Sequence, residues 1–440
     1  MKKLSTTLWK IYDLLRGHLD STTSLQVIKT LTFLYLLEKE LLKKNEAFTS
    51  QLQGSFDFEG TKTNEELIES LRSFISQNEE LDWLQDSVSE LVRLTDQNLF
   101  EKVMSAIKNI PVETSTVEVY LQCVELLATR DRFSSATPSS LCQLAKELLA
   151  HTSYDNLYDP AIGTGKLAYE VSMNHENVKI YGQDIHPTEL NSCRMLLTLS
   201  GRIHELSYLK EGHTITAPKH LEGNKLKRFS CVVSQPPFGL RDWGIEQILD
   251  DDRFHRGLPP RVHGDYAFIT QVVESLNESG KALMILPSSP LFREAREGEI
   301  RKQLIQENLV ETVISLPGNM LHGTAIPVNI VIFNKQKSNN DIFFINAISF
   351  VNRQRTQSTL TESAIKELAN LYHTREEVEE ISRIISLDEV KANRYNLMVE
   401  RYVTQKQVQE VFDLEALQQE HQDLMKHLET IQTKLQDILA

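Results

Sequence analysis

Apolar residues recur every three or four positions along the first quarter of the chain, from residue 5 to about residue 126. Leu8, Ile11, Leu14 and Leu15 show this spacing, which is typical of amphipathic helices, while strand-like alternation is scarce. The polar, glycine-containing stretch 54–64 predicts a loop between two helical blocks. We therefore predict a helical N-terminal domain over residues 1–126.

The apolar pattern changes near Asn156, where short apolar runs begin to alternate with helical stretches. The runs occupy residues 157–158, 178–181, 231–233, 282–286, 310–316 and 330–333. Alternation of strand and helix is typical of an α/β domain built on a parallel, doubly wound sheet. We assign residues 127–355 to this domain.

The last part of the chain, residues 356–440, is polar and then helical in pattern. Within it, apolar side chains repeat at alternating spacings of three and four, as in a coiled-coil seam. The seam positions are Leu414, Leu417, His421, Leu424, Leu428, Ile431, Leu435 and Ile438. We predict that this seam, 414–438, packs on another chain or another helix.

Composition and charge narrow the class of protein. Hydrophobic residues make up 40% and charged residues 25% of the chain, as in a folded globular protein. The net charge of −14 repels nucleic acid overall, so contact with DNA needs a local basic groove. No apolar run approaches 18 residues, so we expect a cytoplasmic protein with no membrane segment. The cysteines lack zinc or disulfide spacing and are expected to be reduced; they are Cys123, Cys142, Cys193 and Cys231.

A Gly-x-Gly turn, Gly163 to Gly165, follows the first short strand and precedes a helical stretch. Glycine lets the backbone approach a ligand closely. Pro160 and Leu167 break the phosphate-binding P-loop pattern, and Ala168 stands where a dinucleotide fingerprint needs its third glycine. Taken alone, the turn is explained equally well as a plain strand-to-helix connection.

The next predicted strand ends in Asp184, 21 residues after Gly163. At the same edge of the sheet, this carboxylate can accept hydrogen bonds from two ribose hydroxyls. Alternatively, Asp184 caps the following helix, which has Pro187 in its first turn. The two roles are compatible.

A third element, Gln235-Pro236-Pro237-Phe238, follows a buried strand. The two prolines fix the backbone. A side-chain amide and a free carbonyl can accept both hydrogens of an amino group, and an aromatic ring can stack on a flat base. The segment predicts a pocket for an amino-bearing base.

With these motifs, the chain resembles the amino-methylating DNA methyltransferases, and specifically the methylation (M) subunits of type I restriction-modification systems. The likeness runs from residue 133 to 402 and includes segments 133–138, 159–165, 235–239, 253–268, 286–287, 291–293, 297–301, 316–317, 323–327 and 394–402. It implies an α/β, Rossmann-like, S-adenosylmethionine-dependent methyltransferase domain with a mostly parallel sheet. A helical N-terminal domain and a C-terminal helical tail also fit that family.

The resemblance implies methyl transfer from S-adenosyl-L-methionine to the exocyclic N6 amine of a flipped adenine in DNA, with no metal. The adenine would be received by Gln235, Pro236, Pro237 and Phe238. The cofactor would be bound by Thr137, Pro138, Asp159, Ala161, Gly163, Gly165, Asp184 and His213.

A basic group follows the Pro-Pro turn and would either line a DNA groove or form a solvated loop. It consists of Arg253, His255, Arg256, Arg261 and His263. No separate target-recognition domain remains in the sequence. By resemblance, a partner specificity subunit would therefore read the DNA, in a complex with a second copy of this chain.

Three positions depart from the family pattern. Gln235 replaces the usual Asn, and its extra methylene can displace the amide by about 1 Å, which can cost about 100-fold in rate. His213 replaces an Asp expected to accept from the cofactor's adenine, and Lys166 replaces a glycine and could crowd or charge the cofactor site. One rival is therefore a catalytically impaired M-like subunit that binds cofactor and DNA as a scaffold. The other, a protein-glutamine methyltransferase, is disfavoured by segment 253–268 and the seam.

Overall fold

The computed structural model describes residues 2–43, 46–112, 114–130, 136–354 and 357–403, together with 419, 421–426, 428 and 431–432. The chain divides into two compact units, Met1–Val403 and Thr404–Ala440. The bounds of the three predicted domains stay predictions. Residues 133–135 and the seam positions Leu414, Leu417, Leu435 and Ile438 lie outside the described residues.

Helices make up the part of the first unit that precedes the sheet, as the sequence predicted. They are α1 (Lys2–Leu15), α2 (Ser21–Leu42), α3 (Glu46–Thr49), α4 (Asn64–Ser76), α5 (Leu84–Leu91), α6 (Gln97–Lys108), α7 (Thr116–Ala128) and α8 (Ser139–Leu149). The predicted loop at 54–64 corresponds to the connection between α3 and α4. Helix α2 is buried along most of its length and packs against α1, α5, α6 and α7. It begins where the Asp20 carboxylate accepts the Thr23 N–H at 3.0 Å.

A nine-stranded sheet forms the centre of the unit, in the order β13-β10-β8-β9-β7-β6-β1-β2-β3. Strands β3, β2, β1, β6 and β7 are parallel neighbours, whereas β9 runs antiparallel to β7 and β8, and β13 antiparallel to β10. The predicted mostly parallel sheet is confirmed. Pairs β4–β5 and β11–β12 form separate ribbons. The strands are β1 (Asn156–Asp159), β2 (Lys179–Asp184), β3 (Leu209–Glu211), β4 (Leu221–Glu222), β5 (Lys225–Leu226), β6 (Phe229–Ser234), β7 (Leu276–Pro287), β8 (Val310–Leu316), β9 (Val328–Asn334), β10 (Ile342–Asn346), β11 (Val351–Asn352), β12 (Thr359–Leu360) and β13 (Ser382–Ile385).

Further helices cover the sheet: α9 (Lys166–Ser172), α10 (Pro187–Leu199), α11 (Asp265–Glu274), α12 (Ser289–Phe292), α13 (Ala295–Gln306), α14 (Glu362–Thr374) and α15 (Leu387–Ala392). Successive strand residues point to opposite faces, so Cys231 and Val233 join one core while Val232 joins another. The first core is continuous with the N-terminal helices. Those helices are therefore packed on the sheet. None of the described helices combines the length and apolar character needed to cross a bilayer.

A buried ion pair ties the N-terminal helices to the Gly-x-Gly turn. Lys166 is the first residue of α9, its side chain is 1% exposed, and its ammonium pairs with Glu125 of α7. The ammonium also donates to the Ser139 hydroxyl at 2.7 Å, at the start of α8. Burial raises the pKa of the Glu125 carboxyl, but the Lys166 charge and the hydrogen bonds from Lys166 and Ser139 together outweigh burial, so the pKa is lowered. The Lys166 charge is thus paired with Glu125 in the interior. The expectation that Lys166 crowds or charges the cofactor site stays a prediction.

We expect Glu125→Gln to lower the free energy of unfolding by about 3 kcal/mol, since it leaves the Lys166 ammonium buried without a counter-charge. Urea denaturation followed by circular dichroism measures the change. Glu118→Gln, an exposed position on the same helix, is the matched control and should change stability by less than about 0.5 kcal/mol. Equal stability of the two variants would contradict a structural role for the pair.

Candidate active site

Three strands bring the sequence-predicted site residues to one edge of the sheet. Strand β1 lies between β2 and β6 and is parallel to both, so their carboxyl ends adjoin. Asp159 ends β1, Asp184 ends β2, and Gln235 directly follows β6. Ligand sites of open α/β sheets lie at such an edge.

The Gly-x-Gly turn requires glycine for steric reasons. Gly163 and Gly165 have φ values of +51° and +78°, in the left-handed region that favours glycine. A Cβ on Gly165 would lie 2.4 Å from the Cys193 sulfur on α10. The turn therefore packs closely against α10, and its backbone N–H groups lie at the carboxyl end of β1.

Asp184 fixes the turn and keeps further acceptor capacity. Its Oδ2 accepts the Gly163 N–H at 2.8 Å, and its Oδ1 accepts the His186 N–H at 2.9 Å, beside the start of α10 at Pro187. Burial raises the pKa of this carboxyl. Each oxygen retains a lone pair beyond the one used, so the anchoring role and an additional ligand role are compatible.

Asp159 links the ends of β1 and β6. Its carboxylate is 2% exposed, and Oδ1 accepts both the Ala161 N–H at 2.9 Å and the Ser234 hydroxyl at 3.0 Å. Burial raises the pKa of Asp159 to about 7, and the nearby Asp184 charge acts in the same direction. No ion pair among the described residues includes Asp159. A cation placed here would favour its ionised form.

Gln235 presents a buried acceptor without a protein donor. Among the residues that the structure describes, none donates a hydrogen bond to its Oε1. Such an unpaired buried group costs about 1–3 kcal/mol, and a ligand donor placed here would remove this cost. The half-buried Phe238 ring packs against the edge of the core beside it.

Two contacts that sequence reasoning missed hold the Pro-Pro turn at both ends. Before the turn, Ser234 bonds Asp159, as described. After it, the Gly239 N–H donates to Asp265 Oδ1 at 2.9 Å, and Asp265 is 2% exposed at the start of α11. Only the position of Asp265 in the family-like segment 253–268 hinted at this role.

His213 lies at the same edge but presents a donor. Its Nδ1 accepts the Ile215 and Thr216 N–H groups, both at 3.3 Å, and burial lowers the pKa of the ring. The neutral ring therefore carries its hydrogen on Nε2. The next residue, Thr214, donates its hydroxyl to the Pro160 carbonyl at 2.5 Å, which holds His213 beside the end of β1. An imidazole N–H therefore stands at the position for which the resemblance implied an acceptor.

Thr137 and Pro138 lie immediately before α8. Thr137 is 4% exposed, and the Pro138 carbonyl accepts the N–H groups of Leu141 and Cys142 in the first turn of the helix. Helix α8 packs on α9, and Ser139 contacts Lys166 beside the Gly-x-Gly turn. The segment therefore adjoins the start of α9.

The arginines predicted to contact DNA have different environments. Arg256 is 7% exposed and paired with Glu274 at 2.7 Å and Glu307 at 2.6 Å. Arg253 is engaged by Asp251 and by the Ile215 carbonyl at 2.6 Å. Both guanidinium groups are thus committed to intramolecular partners.

Arg261 differs, because its side chain is 62% exposed and pairs with the exposed Asp242 and Glu246. Two further basic side chains, which the sequence analysis did not single out, lie near His263 of the predicted basic group: Arg293 and Arg241. Arg293 Nη1 lies 3.5 Å from Asp265 Oδ2. Burial, together with the charges of Arg293 and Arg241, lowers the pKa of His263. Arg241 is exposed and lies four residues after Pro237, where sequence alone gave no pattern to single it out.

Comparison with known families agrees with this geometry. The model of the N-6 DNA methylase family matches residues 128–411, and that of the HsdM N-terminal domain matches residues 4–148. The chain belongs to the N-6 DNA methylase family.

Curated relatives of the chain include two bacterial methylase subunits. The type I restriction enzyme MpnII methylase subunit of Mycoplasma pneumoniae is 27% identical over 323 residues, covering 69% of this chain and 59% of the relative. The HindI methylase subunit of Haemophilus influenzae is 28% identical over 284 residues, covering 61% and 62%. The matched region thus spans about three-fifths of these relatives' length.

Solved structures share the fold. The methyltransferase subunit of a type I restriction-modification system from Streptococcus thermophilus superposes with a TM-score of 0.80 at 22% identity, covering 92% of this chain and 99% of that one. A modification subunit of a type I restriction enzyme from Vibrio vulnificus gives 0.61 at 16% identity, covering 88% and 93%.

Because the pKa of Asp159 is raised, the difference in the free energy of unfolding between the wild type and Asp159→Asn should depend on pH. The folded-state Asp159 pKa of about 7 exceeds the ordinary value of 3.8, so its contribution to stability is present below pH 4 and is lost as the pH rises through 7. We expect the wild type to lose stability relative to the variant by up to about 1.4 kcal/mol per pH unit between pH 4 and 7, and nothing further above pH 8. Urea denaturation across this range measures the difference. A pH-independent difference would contradict the raised pKa.

Proposed function

We propose that this chain is the adenine-specific DNA methyltransferase subunit of a type I restriction-modification system, using S-adenosyl-L-methionine to methylate the exocyclic N6 amine of adenine. The unpaired Gln235 Oε1 beside a fixed Pro-Pro turn and the Phe238 ring carries the proposal. An amino-bearing flat base fits these groups. Membership of the N-6 DNA methylase family and the names of the curated relatives support it.

The residues at the strand ends fit the cofactor. The Gly163–Gly165 turn offers backbone N–H groups without a Cβ in the way, and Asp184 keeps lone pairs for ribose hydroxyls. The buried Asp159 carboxylate, with no cation paired to it among the described residues, suits the positively charged part of S-adenosylmethionine. When bound, the cofactor supplies an electrophilic methyl group on a sulfonium.

The base end of the cofactor would meet His213, with Thr137, Pro138 and Ala161 completing the cofactor site. The N–H on His213 Nε2 suits a ring nitrogen acceptor of the cofactor's adenine, in place of the amine contact expected of a carboxylate.

On the substrate side, Gln235 Oε1 and the Pro236 carbonyl would accept the two hydrogens of the target amine. These bonds favour a tetrahedral nitrogen and make its lone pair available, while Phe238 stacks on the base. Pro237 fixes the turn, and the Gly239–Asp265 bond holds it in register with α11. Asp265 is therefore a positioning residue in this proposal.

DNA would be contacted by exposed basic side chains near the Pro-Pro turn. Arg261 and Arg241 are exposed and suit phosphate contacts, whereas Arg253 and Arg256 would need to leave their carboxylate partners. The net charge of the chain is −14, which repels DNA overall. The exposed arginines would therefore bind DNA together with a partner specificity subunit and a second copy of the chain.

The C-terminal seam would be a docking surface of that complex. The described seam residues Leu424, Leu428 and Ile431 are 63%, 50% and 48% exposed. Apolar side chains left in water at this spacing favour association.

The catalytically impaired scaffold is the second candidate, and Gln235 is the observation that raises it. Its amide approaches the target amine on a longer side chain than the family's Asn. A displacement of about 1 Å lowers a rate by about 100-fold when the reacting groups are no longer aligned.

We expect Gln235→Asn to raise methyl transfer to adenine by up to about 100-fold in the assembled complex with the specificity subunit, because the amide regains its shorter tether. Gln235→Ala should abolish transfer, since the amine loses its side-chain acceptor. Incorporation of labelled methyl groups into a target duplex measures both.

Gln247→Asn, the same chemical change at an exposed position, should leave the rate unchanged. Absence of transfer by both the wild type and Gln235→Asn would favour the impaired scaffold. Activity retained in Gln235→Ala would remove Gln235 from the proposed site.

A further inference from the structure

A polar cavity of about 250 Å³ lies at the sheet edge opposite the candidate active site. Its lining includes Lys281, early in the paired part of β7, Glu311 in the first residues of β8, and Asn334 at the end of antiparallel β9. Helices α8 and α14 contribute Leu148 and Tyr372, and the loop after β9 contributes residues 336–339. The candidate active site lies at the carboxyl ends of β1, β2 and β6, whereas Lys281 lies near the start of the parallel pairing of β7 with β6, so the two sites are separate.

The cavity is cationic in a chain whose net charge is −14. Lys281, Lys337 and Arg375 line it, against the single carboxylate of Glu311. Glu311 is already engaged, because it pairs with Lys281 at 3.3 Å and accepts hydrogen bonds from the Tyr372 hydroxyl and from the Asn334 amide. Among the residues that the structure describes, no carboxylate forms an ion pair with Lys337 or Arg375.

Arg375 presents an unused donor. One face of its guanidinium packs over the Phe343 ring at 5.2 Å. Its Nη2 is buried, and no described atom accepts a hydrogen bond from it. Its backbone has φ of +53°, an uncommon conformation for a residue other than glycine, at the end of α14. Strained backbone and unpaired buried donors are both features of ligand-binding positions.

Lys337 lies near Arg375, and its ammonium uses one of its three hydrogens in a described hydrogen bond. Its ammonium donates to the Val310 carbonyl at 2.8 Å, which leaves two further hydrogens. Burial and the Arg375 charge lower the pKa of Lys337 to about 8, although Glu311 and Asp341 act in the opposite direction. A bound anion would offset both effects and hold the ammonium in its charged form.

We propose that this cavity binds a small phosphomonoester, with its phosphate between Arg375 and Lys337. A planar guanidinium and a lysine ammonium are the side chains that proteins use for dianionic phosphate. The cavity is close in size to the smaller ligand pockets, which start at about 300 Å³, and larger than one oxyanion needs. Asn334, Gln336 and Ser338 add neutral polar groups that suit the hydroxyls of a phosphorylated sugar.

Isothermal titration calorimetry on the full chain with ribose 5-phosphate, inorganic phosphate and ribose tests the proposal. We expect ribose 5-phosphate to bind more tightly than inorganic phosphate, and ribose not to bind. Lys337→Gln and Arg375→Gln should each weaken ribose 5-phosphate binding about tenfold or more, because each removes a charged donor.

Lys335→Gln is the matched control. Lys335 also has a lowered pKa through burial and also donates to a backbone carbonyl, that of Leu276 at 2.9 Å, but it does not line the cavity. Thermal unfolding of all variants checks that they fold. Ribose binding as strong as that of ribose 5-phosphate, or an equal loss in Lys335→Gln and Lys337→Gln, would overturn the proposal.

A pH series separates the Lys337 role from a merely structural one. Above pH 7.5 the phosphate is already dianionic, and the pKa of His373 is lowered by burial and by His151, whose ring centroid lies 4.0 Å from that of His373. Affinity should therefore fall about tenfold per pH unit above 8 as free Lys337 deprotonates. This fall should persist in Lys335→Gln and disappear in Lys337→Gln. A fall that persists in Lys337→Gln would overturn the assignment.

Discussion

The buried carboxylate of Asp159 holds the end of β1 to the end of β6 through the Ser234 hydroxyl. Because β1 also pairs with β2, the same strand fixes where Asp184 stands and where the Gly-x-Gly turn begins. The positions of the proposed cofactor-binding residues are therefore fixed relative to Gln235, the proposed substrate acceptor. Burial raises the pKa of the Asp159 carboxyl, because it disfavours the ionised form. A cationic ligand beside Asp159 would stabilise that ionised form.

The N-terminal helices take part in this arrangement. They share a core with one face of the sheet, and the Glu125–Lys166 pair joins α7 to the first residue after the Gly-x-Gly turn. Lys166 thus ties the start of α9 to α7, and its charge is paired with Glu125. The cavity at the opposite edge of the sheet is lined by cationic side chains, Lys337 and Arg375, whereas the candidate active site contains the carboxylates of Asp159 and Asp184.

Much of this fold follows from local sequence, because strand and helix periodicities and the Gly163, Asp184 and Gln235 motifs depend on neighbouring residues. Contacts between side chains that are distant in the sequence cannot be predicted from local sequence. The partner of Lys166 lies on another helix, and the intramolecular pairing of Arg256 with Glu307 depends on the approach of distant segments. The same holds for edge strand β13, whose four residues lie in a region predicted only as polar and then helical. The donor character of His213 depends on two backbone N–H groups that no motif reveals.

Proton release on cofactor binding tests the central claim most directly, namely that Asp159 faces the cofactor's positive charge. S-adenosylmethionine would be titrated calorimetrically at pH 7 in two buffers of different ionisation enthalpy. With a pKa of about 7, the wild type should release about half a proton more than Asp159→Asn, because binding ionises the carboxyl. Absence of binding, or equal proton release by the two chains, would contradict the account.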